Sequence, residues 1–382
     1  MLYRPFGRTG ESVSILGFGC MRLPVLDGRH DQIDESLATA MIRHAIDQGV
    51  NYVDTAWPYH GSSRGEPGES EPFVGRALRD GYRERVLLAT KLPSWLVDTR
   101  ASMDSFLERQ LEWLQTDHLD CYLLHGLNAD YWAKLRRLDV LGFLDSALAD
   151  GRIRYAGFSF HGDPELFAPI VDAYDWSFCQ IQYNYMDLEY QAGLVGLRYA
   201  SERGLGVVVM EPLRGGRLAG RVPESVGQVL AAGERGWSPA EWALRFVWDD
   251  PGVSLLLSGM SAMEHVVENL RVAGEAAASS FGAAENATID AARQAFRSRM
   301  RADCTACRYC LPCPEGVDIP HALAQLNDAH LYEDLASSRM GYFMQGGGKA
   351  SECSKCGACE EVCPQGLPIR DLLDEAVGLF GE

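Results

Sequence analysis

The stretch Asn51–His60, NYVDTAWPYH, guides the interpretation of the whole chain. A short apolar run ends there in a carboxylate, Asp54, and a turn that carries the phenol of Tyr59 follows it. In a parallel barrel, reactive side chains gather at the carboxyl ends of the strands. The stretch therefore predicts a barrel strand with two candidate reactive groups at its end.

Two later apolar runs end in polar side chains in the same way. VLLATK ends in Lys91, and LDCYLLH ends in His125. Each group alone has a plain structural explanation, since a strand-end Asp often caps a helix and a lone His is commonly a satisfied structural residue. Side chains that follow different strands of one barrel meet at the same end of it. Together, Asp54, Tyr59, Lys91 and His125 predict a proton-donating catalytic site.

Strand-like runs recur along the chain, and helical patterns fill the gaps between them. The runs cover residues 14–19, 51–55, 86–90, 119–124, 153–159, 178–182, 206–210 and 253–257. Eight strands that alternate with helices are what a (β/α)8 TIM barrel requires, so the fold class is α/β. The opening residues, YRPFGRTGESVSILGFG, predict a hairpin that leads into the first of these strands.

The motifs VDTAWPY, ATK and LLHG, in this order, resemble the aldo-keto reductase family over residues 1–300. The resemblance implies that Tyr59 is the general acid toward a carbonyl, with Lys91 and Asp54 as its charged neighbours. It also implies that His125 orients the carbonyl oxygen. A phenol with a pKa of about 10 is a weak acid at neutral pH, and a nearby ammonium helps it to release its proton. The hydride would come from the reduced form of NADP or NAD, because no side chain supplies one.

The same resemblance assigns cofactor-binding positions after the later strands. Ser159 and Gln180 resemble the residues that hold the nicotinamide amide. Met210 stands where most of the family has an aromatic ring, and a thioether also packs against a flat ring. The glycine pair Gly215 and Gly216 lets backbone amides approach phosphates. The segment SGMSAMEHVVENL resembles the family's adenosine-binding segment and adds five candidates: Gly259, Ser261, His265, Glu268 and Asn269.

Two of these positions leave the choice between NADP and NAD open. His265 stands where many family members have an arginine that faces the 2′-phosphate, and Gly259 stands where a lysine is found. A neutral imidazole holds a phosphate less firmly than a guanidinium does. The family as a whole favours NADP, whereas these two residues do not.

Eight of the eleven cysteines lie in two short runs, CTACRYCLPCP and CSKCGACEEVCP. The second run has the bacterial ferredoxin spacing C-x2-C-x2-C-x3-C-P, and the first is one residue shorter before its last cysteine. We predict two [4Fe-4S] clusters with crossed ligation, as in two-cluster ferredoxins. The first ligand set is Cys304, Cys307, Cys310 and Cys363, and the second is Cys353, Cys356, Cys359 and Cys313. Zinc more often uses separated C-x2-C pairs, and a disulfide framework is typical of secreted chains.

The position of these runs predicts two domains. We place an aldo-keto reductase barrel over residues 1–300 and a small, mainly helical ferredoxin-like domain over residues 301–382. Between the cysteine runs, IPHALAQLNDAHLYEDLASSRM has a helical pattern, and Gly346–Gly348 provides a loop. The motifs EPLRGG, IQYNY and CRYC resemble the ferredoxin-bearing branch of the family. The other cysteines, Cys20, Cys121 and Cys179, are predicted to be small buried apolar residues.

Composition excludes several classes of protein. The chain is 47% apolar and 23% charged, which is typical of a soluble globular protein. Its net charge of -18 argues against binding nucleic acid or an anionic membrane surface, because both need clustered Lys and Arg. No stretch approaches the roughly 20 apolar residues of a membrane span, and the opening residues lack the apolar run of a signal peptide. We therefore expect a cytoplasmic protein.

Three functions remain open at this point. The first is reduction of a small-molecule carbonyl, with the clusters as an appended module. A hydride carries two electrons whereas a cluster passes one, and the sequence has no flavin motif to join them. The clusters of such a reductase are therefore either structural or, as the second function, they pass electrons between an electron-carrier protein and the active site. The third function is that of a non-catalytic subunit that senses redox state.

Overall fold

The computed structural model describes residues 1–62, 65–220, 222–344 and 347–381. The chain forms two compact units. The first comprises Met1–Gly215 and Ala243–Phe281, and the second comprises Gly216–Trp242 and Gly282–Glu382. The division into domains near residue 300 stays a prediction.

All the strands of the sheets lie in the first unit. They are β1 (Tyr3–Pro5), β2 (Ser12–Ser14), β3 (Leu16–Gly19), β4 (Tyr52–Asp54), β5 (Leu87–Leu92), β6 (Leu119–Leu127), β7 (Ile153–Phe160), β8 (Phe178–Gln182), β9 (Gly206–Met210) and β10 (Leu255–Ser258). Strands β1 and β2 form an antiparallel hairpin. The other eight are parallel and close a barrel in the order β10-β3-β4-β5-β6-β7-β8-β9. The predicted (β/α)8 barrel is therefore confirmed.

Helices alternate with the barrel strands and then continue without strands into the second unit. They are α1 (Glu35–Asp47), α2 (Ser70–Ala77), α3 (Arg100–Leu114), α4 (Ala129–Arg137), α5 (Val140–Ala149), α6 (Pro164–Val171), α7 (Gly193–Glu202), α8 (Glu224–Ala232), α9 (Pro239–Asp249), α10 (Met263–Glu275), α11 (Ala283–Arg297), α12 (Ile319–Tyr332), α13 (Leu335–Met344), α14 (Ala358–Glu361) and α15 (Ile369–Phe380). No helix of the described residues is both long and apolar enough to cross a membrane.

The helix boundaries follow from local sequence. Helix α1 starts after Asp34, whose carboxylate accepts a hydrogen bond from the backbone N–H of Leu37 at 3.1 Å. Helix α3 starts with a capping box between Thr99 and Ser102, and it ends at Gln115 in the left-handed conformation. Such caps satisfy backbone donors that the first turn of a helix leaves without partners.

The barrel interior is filled by alternate residues of the strands. Leu87 and Ala89 of β5 lie there with Phe6 from the amino-terminal hairpin, whereas Leu88 belongs to the larger apolar cluster that includes the surrounding helices. Side chains alternate between the two faces of a strand. Lys91, two residues beyond Ala89, therefore points inward at the carboxyl end of β5.

The three scattered cysteines are part of this apolar packing. Cys20, Cys121 and Cys179 are fully buried, and burial raises the pKa of each thiol. A buried thiol in apolar surroundings is unreactive. Their predicted role as small apolar residues is confirmed.

The second unit is helical and has its own apolar core, which includes Leu326, Leu373 and Phe380. The predicted helical segment forms α12 and α13, which are separated at Glu333 by a left-handed backbone conformation (φ 51°). Arg217 donates hydrogen bonds to carboxylates at both sides of this break, at 2.7 Å to Asp328 and 3.2 Å to Asp334. Of the predicted glycine loop, Gly346 lies outside the described residues.

Candidate active site

Strand register brings Asp54 and Lys91 together. Asp54 ends β4 opposite Ala89 of β5, and Lys91 lies two residues further along β5 on the same inward face. The Lys91 Nζ donates a hydrogen bond to Asp54 Oδ1 at 2.7 Å and another to the backbone oxygen of Thr55 at 2.7 Å. Both charged side chains are almost completely buried. The pair is therefore fixed in place by strand pairing and by its own hydrogen bonds.

The turn after β4 places Tyr59 over this ion pair. Lys91 Nζ donates to the Tyr59 hydroxyl at 3.3 Å and lies 4.8 Å from the centre of its ring. The ring of His125 meets the Tyr59 ring edge-on, with the centroids 6.2 Å apart. The Trp95 ring lies 5.1 Å from the His125 ring on the same side. All four side chains predicted to be catalytic thus lie together at the carboxyl end of the barrel.

The electrostatics of the group depend on burial and on pairing. Burial alone would lower the pKa of Lys91, but the carboxylate of Asp54 and the phenol of Tyr59 raise it above the usual value, so the ammonium stays charged. Burial raises the pKa of Tyr59, and the Lys91 charge opposes that shift. At neutral pH the site therefore holds a protonated phenol in contact with a fixed cation.

A buried polar network lies behind Lys91 and was not predicted. Gln110 of α3 donates from Nε2 to the backbone oxygen of Lys91 at 2.9 Å and to Glu71 Oε1 at 2.7 Å, and Thr90 also donates to Glu71. The hydroxyl of Tyr122 donates to Gln110 Oε1 at 2.8 Å. Burial raises the pKa of Glu71 to about 7. One signal was present in the sequence, since Gln110 interrupts an apolar stripe of α3.

The nicotinamide positions lie on neighbouring strands at the same barrel end. Ser159 of β7 pairs in register with Gln180 of β8, and Gln180 Nε2 lies 3.6 Å from the sulfur of Met210 at the end of β9. Gln180 Oε1 is buried and has no hydrogen-bond partner among the described residues. A carboxamide N–H of a bound nicotinamide would satisfy that oxygen. These residues therefore fit the cofactor that the resemblance implies.

The other cofactor candidates occupy the loops after β9 and β10. The backbone is left-handed at Gly215 (φ 68°) and Gly216 (φ 95°), as a glycine turn allows. Gly259 follows β10, and Ser261 and His265 are exposed near the start of α10. The last two candidates differ in surroundings: Glu268 is half-buried, while Asn269 is buried and donates to Ser258 Oγ at 3.0 Å. Asn269 thus has a structural bond between α10 and β10.

In the second unit, the cysteines surround two cavities. The first is lined by four cysteines: Cys304, Cys307, Cys310 and Cys363. The second is lined by five: Cys310, Cys313, Cys353, Cys356 and Cys359. The first cavity holds the four cysteines of the first predicted ligand set, and the second holds the four of the other set together with Cys310. The crossed ligation stays a prediction. Cys307 and Cys356 are the exposed members of the two sets.

The donor chemistry of both cavities fits an iron–sulfur cluster, because four cysteine sulfurs are what a [4Fe-4S] cluster takes as ligands. The second cavity has a volume of about 260 Å³, whereas the first has only about 20 Å³. The cysteines of the first cavity would therefore have to move apart around a cluster. Burial and the neighbouring thiols raise the pKa of Cys310 to about 11. A bound metal would remove that cost, because it holds each sulfur as a thiolate.

Another cavity lies away from this chemistry. It measures about 1080 Å³ and is found at the amino-terminal end of the barrel strands. Two arginines beside it, Arg83 and Arg154, make ion pairs with Asp120 at 2.8 and 2.7 Å. Polar residues at this end of a barrel usually serve stability. We therefore assign no reaction to it.

A closed (β/α)8 barrel with polar side chains at its carboxyl end, followed by a helical region with two sets of cysteines, is typical of an oxidoreductase that carries an iron–sulfur domain. Residues 15–293 match the model of the aldo/keto reductase family, and the chain belongs to that family. Residues 303–367 match a model described as a 4Fe-4S dicluster domain.

Several known proteins are similar to this chain. The uncharacterized oxidoreductase YrpG of Bacillus subtilis (strain 168) is 30% identical over 244 residues, which cover 59% of this chain and 70% of YrpG. Protein tas of Escherichia coli (strain K12) is 28% identical over 325 residues, covering 71% of this chain and 92% of that protein. The solved structure of aldo-keto reductase AKR11C1 from Bacillus halodurans (holo form) matches with a TM-score of 0.61 at 28% identity, covering 76% of this chain and 96% of that one.

Proposed function

We propose that the protein reduces a small-molecule carbonyl with a nicotinamide cofactor and that Tyr59 is the general acid. The observation that carries this proposal is the buried Lys91 ammonium, which lies 2.7 Å from Asp54 and 3.3 Å from the Tyr59 hydroxyl. An ammonium in that place stabilises the phenolate that proton donation leaves behind. Use of NAD or NADP is general to the family, which supports the cofactor.

The residues act on a carbonyl oxygen that lies beside Tyr59. When bound, the reduced nicotinamide supplies the hydride that adds to the carbonyl carbon. Tyr59 gives its phenolic proton to the oxygen, so that the carbonyl becomes an alcohol. Lys91 stabilises the phenolate, and Asp54 keeps the ammonium charged and in position. His125 donates a hydrogen bond to the same oxygen as negative charge develops on it.

The test is the Tyr59→Phe variant of the cluster-loaded protein. Loss of a general acid lowers turnover by about 10²–10⁴-fold, and we expect carbonyl reduction to fall by that range while the cofactor Kd stays within about twofold. Tyr199→Phe is the matched control. Tyr199 lies on helix α7, away from the barrel mouth, and its hydroxyl donates a hydrogen bond to Asp172. A Tyr59→Phe variant as active as this control would refute the assignment.

A second candidate function is one-electron exchange with an electron-carrier protein. The two cysteine-lined cavities favour it, because a pair of clusters can relay electrons. The test is an anaerobic titration of the loaded protein with NADPH and then NADH, followed by cluster absorbance and paramagnetic resonance. Bleaching of the clusters without a carbonyl would support this function. If the clusters stay oxidised while an added carbonyl oxidises the reduced cofactor, the result would favour a carbonyl reductase whose helical unit is structural or senses redox state.

A further inference from the structure

The turn that carries Tyr59 is joined to the first turn of helix α2. The backbone N–H of Ser70, the first residue of α2, donates to the backbone oxygen of Tyr59 at 3.2 Å. The Ser70 hydroxyl shares a hydrogen bond of 2.8 Å with the Thr55 hydroxyl. A Cβ on Gly68 would lie only 1.9 Å from the Tyr59 backbone oxygen, so the turn is closely packed at this point. The position of Tyr59 therefore depends on where α2 begins.

Glu71, the next residue of α2, connects this helix to the strand that carries Lys91. Its Oε1 accepts hydrogen bonds from the Thr90 hydroxyl and, at 2.7 Å, from Gln110 Nε2 of helix α3. The same Gln110 Nε2 donates to the backbone oxygen of Lys91 at 2.9 Å. The hydroxyl of Tyr122, on β6, donates to Gln110 Oε1 at 2.8 Å and so fixes the amide. One amide side chain thus ties the start of α2 to the end of β5.

The Glu71–Gln110 bridge lies where no ligand can reach it. Both side chains are fully buried, and so is Thr90. Three elements meet at this point, because Glu71 belongs to α2, Gln110 to α3 and Thr90 to β5. The bridge therefore acts on the site only through the elements that it holds together.

The contact that depends on this bridge is the one between Lys91 and Tyr59. Lys91 Nζ lies 2.7 Å from Asp54 Oδ1 on the neighbouring strand, but 3.3 Å from the Tyr59 hydroxyl. Asp54 is held by strand pairing with β5, whereas Tyr59 lies in a turn outside the barrel ladder. A misplacement of about 1 Å in such a site can cost about 10²-fold in rate. The bridge limits that movement, because it joins the two elements that carry the contact.

Glu71 serves in the bridge as a hydrogen-bond acceptor. Burial raises its pKa to about 7, although the hydrogen bonds from Thr90 and Gln110 and the charge of Lys91 act to lower it. Its Oε2 is buried and has no hydrogen-bond partner among the described residues. Below pH 7 the neutral carboxyl prevails, and Oε1 is the atom that makes the bridge. A glutamine at this position would supply the same acceptor oxygen without an ionisable group.

We propose that Glu71 and Gln110 are positioning residues that hold the Lys91 ammonium against the Tyr59 hydroxyl. They touch neither substrate nor cofactor. They act by joining the start of α2, which fixes the Tyr59 turn, to the carboxyl end of β5, which carries Lys91. The effect on rate rests on the proposed function, whereas the position of Lys91 does not.

The experiment compares Gln110→Leu, Glu71→Leu and Glu71→Gln in the cluster-loaded full chain. Leu114→Ala is the matched control, because Leu114 is buried about one turn further along α3. Its truncation disturbs the same helix without removing a hydrogen bond. Steady-state kinetics below pH 7 give kcat and KM, and circular dichroism gives the folded fraction by which kcat is corrected.

A second readout does not depend on activity. The chain has four lysines, which are Lys91, Lys134, Lys349 and Lys355. Protein labelled with 13C at the lysine Cε therefore gives few signals in magnetic resonance spectra. The signal of Lys91 is identified by its loss in Lys91→Met. Its chemical shift reports the surroundings of the ammonium in each variant.

Gln110→Leu and Glu71→Leu should each lower kcat by about tenfold or more, because a displaced ammonium stabilises the phenolate less in the transition state. Their KM should stay within about twofold of wild type, since the bridge binds no ligand. Glu71→Gln should restore kcat to within about threefold of wild type. The Lys91 signal should shift in Gln110→Leu and Glu71→Leu but stay near its wild-type position in Glu71→Gln and Leu114→Ala.

A Gln110→Leu variant with the corrected kcat and the Lys91 signal of Leu114→Ala would overturn the proposal. Glu71→Gln as impaired as Glu71→Leu would also overturn it, because an acceptor oxygen would then not be what the bridge needs. Failure of the proposed function looks different. If the wild-type protein reduces no carbonyl, a Lys91 signal that shifts in Gln110→Leu and Glu71→Leu still supports the positioning role. A signal that stays in place in both refutes it.

Discussion

Two regions of the molecule bring together side chains that are distant in sequence: the polar group at the barrel end and the two cysteine sets of the helical unit. The two regions differ in what their side chains contact. Lys91 makes hydrogen bonds of 2.7 Å to Asp54 Oδ1 and 3.3 Å to the Tyr59 hydroxyl, while Asp54 Oδ2 is buried without a partner among the described residues. The cysteines line cavities, where burial and, to a smaller extent, the neighbouring thiols raise the pKa of Cys304 and Cys310. The hydrogen bonds among these three residues of the barrel are therefore made within the protein, whereas the cysteine sulfurs are the ligands that a [4Fe-4S] cluster would take.

The largest effect that this contrast predicts concerns the clusters. Cys356→Ser removes one of the four predicted ligands of the second cluster, and we expect the iron content to fall from about eight to about four atoms per chain. The helical unit should then become sensitive to protease, because metal binding is coupled to folding in such small units. Iron and sulfide analysis and limited proteolysis measure the two effects.

Cys179→Ala is the control for this variant, since Cys179 is buried in the barrel. It should keep the full iron content. Unchanged iron in Cys356→Ser would argue against the crossed ligation. A helical unit that resists protease equally with and without iron would show that its folding does not depend on the clusters, which would remove the contrast with the barrel site.

The barrel site, in contrast, should lose stability when one member of its buried ion pair is removed. Lys91→Met leaves Asp54 buried without its cation, and breaking a buried pair in this way costs about 3–5 kcal/mol. Urea unfolding at pH 7 measures that loss in the free energy of unfolding. The double variant Lys91→Met/Asp54→Leu should recover part of the stability without recovering carbonyl reduction.

An exposed pair calibrates this result. Arg76→Met breaks the contact with Glu35, whose carboxylate is 53% exposed, and should cost no more than about 1 kcal/mol. If Lys91→Met costs as little as Arg76→Met, the buried pair is not the source of stability that its geometry implies.

The polar residues at the strand ends were predictable from the sequence, because local periodicity alone determines which of them point inward. The alternation that places Leu87 and Ala89 inside the barrel also directs Lys91 inward, and the runs before Asp54 and His125 were read from their apolar residues. The contact of Arg22, after β3, with Glu211, after β9, could not be found in this way, because it depends on how the barrel closes. Glu71 and Gln110 were missed because their partners Thr90 and Tyr122 lie on strands, where they look like ordinary β-formers.

Glu71 differs from Asp54, since its hydrogen-bond partners among the described residues, Thr90 and Gln110, are neutral. Its folded pKa is about 7 against an ordinary 4.5, so the folded protein favours the protonated form. The stability that this form gives is fully present below pH 4.5 and is lost as pH rises through 7. The loss amounts to about 3 kcal/mol, since one pKa unit is worth about 1.4 kcal/mol.

Glu71→Gln keeps an oxygen that can accept from Thr90 and Gln110 but cannot ionise. We expect its free energy of unfolding, relative to wild type, to rise by up to about 3 kcal/mol between pH 5 and pH 8. Glu69→Gln, at an exposed position two residues away, should leave that difference constant. Parallel stability curves for Glu71→Gln and wild type would mean that Glu71 is ionised across this range. The network behind Lys91 would then carry a buried negative charge, and Asp54 would not be the only carboxylate that keeps the Lys91 ammonium charged.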